Sequence, residues 1–81
     1  MPKVRRTGVP RAVFDHLLQR VQEREITAMQ LRLLAEWLDC EPEVPAGPWF
    51  KRFPGMIAWG EGELIKTFLR PGQAPMGEEI N

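Results

Sequence analysis

Residues 47–70, GPWFKRFPGMIAWGEGELIKTFLR, constrain the fold more than any other stretch of the chain. Two turn signals, Pro54-Gly55 and Gly60-Glu61-Gly62, divide them into three short runs rich in apolar and β-branched or aromatic residues. Runs of that length between Gly/Pro punctuation are strands of an antiparallel meander. The segment also interleaves Trp49, Phe50, Phe53, Trp59 and Phe68 with Lys51, Arg52, Lys66 and Arg70. A small sheet has two faces, and one layer of helices covers only one of them.

The register follows from the turns. With Pro54-Gly55 as a two-residue turn, Phe53 pairs with Met56, Arg52 with Ile57, Lys51 with Ala58 and Phe50 with Trp59. With Gly60 to Glu63 as a four-residue loop, Trp59 pairs with Leu64, Ala58 with Ile65, Ile57 with Lys66 and Met56 with Thr67. Paired residues share a face and side chains alternate along each strand. One face then collects Trp49, Lys51, Phe53, Met56, Ala58, Ile65, Thr67 and Leu69, which suits a helical layer. The other collects Phe50, Arg52, Ile57, Trp59, Leu64, Lys66 and Phe68. A slip of one residue in either turn would exchange the faces.

Two helices precede the sheet. Pro10 suits a first helical turn, and Val13, Leu17 and Val21 recur at i, i+4, i+8 with Phe14 and Leu18 alongside. This stripe predicts an amphipathic helix running to about Arg24. Thr27 and Gln30 have capping-box spacing, with Ile26 and Leu31 placed as a hydrophobic staple. The stripe Leu31, Leu34, Ala35, Leu38, widened by Leu33 and Trp37, predicts a second helix sandwiched between the first and the sheet. Pro42 and Pro45 bar its continuation, and residues 40–48 form a stiff connector.

The expected architecture is therefore α+β, a two-helix hairpin on one face of a three-stranded antiparallel β-meander. Residues 1–9 form a basic arm, 10–39 the helical hairpin, 47–70 the meander and 71–81 an irregular tail with two prolines and two glycines. A chain of 81 residues forms a single small domain that buries roughly 60% of its unfolded surface.

Charge limits the function classes. Lys plus Arg and Asp plus Glu each number 11, so the formal net charge is zero, and nothing in the total draws a polyanion. The distribution is uneven: Lys3, Arg5, Arg6 and Arg11 lie in an N-terminal stretch without acids, while Glu36, Asp39, Glu41 and Glu43 lie in a stretch without bases. The basic arm can meet phosphate or an acidic partner, or else fray into solvent. A lone Cys40 forms no internal disulfide, which fits a reducing, cytoplasmic setting. No signal peptide is expected, and no run approaches about 18 apolar residues, the length of a membrane span.

No catalytic constellation is evident. The single His16 sits on the polar face of the first helix, and no Cys/His cluster offers a metal site. Cys40 is flanked by Glu41 and Glu43, whose charge disfavours a thiolate. Gly60-Glu61-Gly62 is a turn rather than a phosphate cradle, because Glu61 and Glu63 repel an anion. No cofactor is expected.

What stands out is the aromatic-basic set Phe50, Arg52, Trp59, Lys66 and Phe68. Rigid aromatics and Arg anchor protein interfaces, so these residues predict a non-enzymatic interaction or regulatory module that binds a protein partner or itself. The same chemistry stacks bases of single-stranded nucleic acid, which is the competing reading. A third arrangement folds Trp59 and Phe68 under the tail or the second helix. With residues 3–7 as a strand, the order strand, two helices, three strands is similar to the RelE/ParE group of bacterial toxin–antitoxin toxins. In that group a proline-containing run precedes the sheet, loosely echoed by Glu41-Pro42-Glu43-Val44-Pro45. The resemblance implies a toxin-type nuclease using Arg, Lys, His or Tyr on the sheet. This chain has no Tyr, and His16 lies on the first helix, so that catalytic pattern does not carry over.

Overall fold

A computed structural model describes residues 2–80. Pro10 caps helix α1 (Arg11–Gln22), and Thr27 caps α2 (Ala28–Asp39). Both halves of the capping box form: the Thr27 N–H donates to Gln30 Oε1 at 2.8 Å, and the Gln30 N–H donates to Thr27 Oγ1 at 3.2 Å. Strands β1 (Pro48–Phe53), β2 (Met56–Glu61) and β3 (Leu64–Leu69) form the meander. The class is α+β, with both helices on one face of the sheet, α1 over β3 and α2 over β1.

The β1–β2 register is the expected one, from Phe53 opposite Met56 to Phe50 opposite Trp59. Gly55 makes that turn possible with φ 84°. The second hairpin differs. Strand β2 runs on to Glu61, which pairs with Leu64, and Gly60 pairs with Ile65. This shifts the pairing by two residues, which preserves the faces of Leu64 and Ile65. A bulge then intervenes, so that Trp59 pairs with Thr67, Ala58 with Phe68 and Ile57 with Leu69. One extra residue, Lys66, reverses the faces of everything beyond it. Phe68 turns in to the helical layer, while Thr67 and Leu69 turn out. Gly60 permits this geometry, since a Cβ there would lie 2.5 Å from the Leu64 carbonyl oxygen and 2.7 Å from the Trp49 ring.

A fourth strand, β4 (Glu78–Ile80), arises within the segment expected to be irregular. It pairs parallel to β1, opposite Trp49, Phe50 and Lys51, and the strand order is β3-β2-β1-β4. The sheet is thus four-stranded and mixed. Residues 70–77 must carry the chain from one edge of it to the other. Residue 81 lies outside the described residues.

The N-terminal arm is pinned rather than frayed. The backbones of Lys3 and Glu43 form an isolated antiparallel β-bridge, the Val4 N–H donates to the Pro42 carbonyl, and the Val44 N–H donates to the Pro2 carbonyl. Val4 and Val44 are fully buried together. Arg6–Gly8 form a 3-10 turn, so residues 3–7 add no strand to the sheet, and the order that likens the chain to RelE/ParE toxins is not formed.

The main core joins Leu17, Ile26, Leu34 and Leu38 to Trp49, Met56, Ala58, Ile65 and Phe68. Trp37 on α2 packs against Trp49 and Phe53, with ring centroids 5.8 and 5.7 Å apart. The Trp49 indole N–H, buried in this layer, donates to the Gly62 carbonyl at 2.8 Å. Phe50 and Ile57 are also buried but stand outside this cluster, on the opposite face.

Candidate functional site

The face opposite the helices carries Phe50, Arg52 and Trp59, with Lys66 beside them in the bulge. Phe68, grouped with them by the simpler register, is 8% exposed and packs under the helices; the bulge is the reason. The cations do approach the rings: the Arg52 guanidinium carbon is 5.3 Å from the Phe50 centroid, and Lys66 Nζ is 5.6 Å from that of Trp59. Each also has an acidic partner. Arg52 Nε lies 3.5 Å from Glu79 Oε2, and Lys66 Nζ lies 2.8 Å from Glu61 Oε1.

This face is also partly occupied by the chain itself. The Trp59 indole N–H donates to the Met76 carbonyl at 2.9 Å, which fixes the crossing segment 70–77 on this side of the sheet. Beneath it Ile57 and Phe50 are only 2% and 7% exposed. Of the arrangements legible in the sequence, Trp59 lies under the tail and Phe68 under the helices.

The basic arm meets the acidic block within the chain. Arg6 makes a two-pronged contact with Asp39, at 2.7 and 2.8 Å, and Arg5 pairs with Glu41. Arg11 instead opens α1 in solvent. Among the described residues, seven of the eleven Lys and Arg side chains are ion-paired. Most of the positive charge that would track a phosphate backbone is therefore already engaged by carboxylates.

A polar cleft of ≈ 230 Å³ lies between α1 and β3. At its centre Glu25 accepts from Arg70 Nε at 3.1 Å and Nη2 at 3.3 Å, and lies 3.9 Å from Arg20 Nε. Arg20 Nη1 donates to the Phe68 carbonyl at 2.8 Å. Burial lowers the Arg20 pKa from the ordinary arginine value, with Arg70 adding to the effect and Glu25 opposing it. His16 lines the rim, whereas Cys40 is exposed at the far end of α2. The cleft is lined by its own ion pairs. Among the described residues, no group of three or more His, Cys, Asp and Glu side chains converges to hold a metal ion.

The open apolar surface is elsewhere. Both helices dock on the sheet, α1 on β3 and α2 on β1, and a groove of ≈ 240 Å³ lies between them. Val9, Phe14, Leu31, Ala35 and Leu38 line it, Leu17, Leu34 and Phe68 form its floor, and Arg6 closes one end. Phe14 is 45% exposed. Leu18, Leu33 and Met29 expose further apolar surface on the same two helices. The expected sandwiching of α2 between α1 and the sheet does not occur. The signal was present in the sequence as stripe width: Phe14, Leu18 and Leu33 make both helices more apolar than one sheet face can cover.

No family model, curated protein or solved structure matches this chain. Among the described residues, no helix is long and apolar enough to cross a membrane.

Proposed function

We propose that the chain is a non-enzymatic interaction module that docks a protein partner in the groove between α1 and α2. One observation carries this reading: an open groove lined almost wholly by aliphatic and aromatic side chains, walled by a half-exposed Phe14. An exposed apolar concavity rimmed by polar residues marks a recognition surface, and a phenylalanine at its wall desolvates well as an anchor. Arg6 at the groove, with exposed Asp15 on α1 and exposed Arg32 and Glu36 on α2, adds mixed polar surface to the same region. The aromatic-basic sheet face, which the sequence alone favours as the contact surface, is a less open candidate because the crossing segment and two acidic side chains occupy it.

The test is affinity capture from a lysate of the source organism, split into nuclease-treated and untreated halves. Wild-type protein is compared with Ala35→Leu, which fills the groove. A stoichiometric protein that survives nuclease and is lost with Ala35→Leu is the expected result. Recovery that depends on nucleic acid, or that the variant retains, refutes the reading.

A further inference from the structure

We propose that the edge of β1 on which β4 lies, with the adjoining outer face, is an acceptor site for an extended segment of a partner protein that carries the pattern Gly-x-acidic-β-branched and replaces residues 77–80 of the chain itself. The chemistry of the ligand is drawn from the segment seated there. Gly77 adopts φ 121°, and a Cβ on it would lie 2.6 Å from the Pro48 carbonyl carbon and oxygen. Glu79 faces Phe50 in the ladder and reaches Arg52. Ile80, opposite Lys51, packs against the main core. Side-chain requirements thus fall at three of four positions, while the ladder satisfies the backbone, as in strand addition to a sheet edge.

The seated segment is poised to exchange. Strand β4 has three residues, pairs on one side only and runs parallel in an otherwise antiparallel sheet, a slightly weaker arrangement. The Arg52–Glu79 pair is about half exposed on both sides, so it orients more than it stabilises. Residues 71–74 and Met76 leading into it are exposed. A partner strand that takes the same place displaces Met76 and so frees the Trp59 indole N–H for further contact. This surface is distinct from the helical groove, and the inference stands whether or not that groove is occupied.

The experiment is fluorescence anisotropy of a labelled peptide of residues 74–80, APMGEEI, titrated with full-length protein. Wild type holds its own strand at an effective concentration in the millimolar range, so the peptide binds it weakly. Gly77→Val drives the internal strand off Pro48, and Glu79→Arg places like charge beside Arg52. Either variant is expected to bind the wild-type peptide at least about tenfold more tightly than wild-type protein does. A peptide carrying Glu79→Arg should fail on both variants and recover on a protein carrying Arg52→Glu with Gly77→Val. Absence of saturable binding to both variants with intact helical circular dichroism overturns the proposal. So does loss of that helical signal in both, which would make the strand an indispensable part of the fold. A wild-type dimer built on β4 exchange would overturn it in favour of a second copy.

Discussion

Filling the groove should stabilise the protein, the reverse of what a larger side chain does in a closed core. Ala35 is half-buried on the groove wall, and Ala35→Leu adds three carbons to a space of ≈ 240 Å³. Complete burial of those carbons would contribute about 2 kcal/mol at ~0.8 kcal/mol per CH₂. The groove is open on one side, which leaves about half of that, and the small helix preference for Ala over Leu removes a few tenths of a kcal/mol. The net expectation is a stabilisation of ~1 kcal/mol, or a rise in Tm of about 4–8 °C for a domain of this size. Thermal and urea denaturation followed by circular dichroism measure it directly. In a closed helix–helix contact the same substitution overpacks and costs about 1–3 kcal/mol. A fall in Tm would therefore show that α1 and α2 touch in solution, and would remove the basis for the proposed docking groove. A rise in Tm accompanied by loss of partner capture would tie the groove to function.

Two further substitutions test the architecture. Thr27→Ala should cost ~1 kcal/mol by removing the acceptor for the Gln30 N–H, while Thr27→Ser keeps that acceptor and stays close to wild type; equal loss in both would mean the cap does not anchor α2. Phe68→Ala should cost about 3–5 kcal/mol as a core truncation, a large share of the stability of a small domain, whereas Trp59→Phe should cost ~1 kcal/mol through loss of the Met76 hydrogen bond. Urea midpoints in the opposite order would place Phe68 on the outer face and refute the bulged register.

Elements whose causes are local are legible from residue order alone. Helix stripes, the Thr27–Gln30 cap and the Pro54-Gly55 turn each act within a few residues, so both helices and the first hairpin's register could be read directly. The opposed charge of residues 1–11 and 33–50 was equally visible, but only the folded chain shows that the blocks meet, through Arg5, Arg6, Asp39 and Glu41. The remaining features depend on contacts between distant parts of the chain. The bulge at Lys66 turns Phe68 in and Thr67 out, and local turn chemistry does not encode that choice; burial of a phenylalanine beneath α1, with Gly60 admitting the Trp49 ring, favours it. Residues 78–80 have no strand signal of their own, and they become β4 because the unpaired edge of β1 offers hydrogen-bonding groups that no other segment fills. The groove, likewise, comes from where two amphipathic helices dock on one sheet. The wide stripe of α2 predicts its burial between α1 and the sheet, but the docking of α1 on β3 and of α2 on β1 leaves part of that apolar surface open instead.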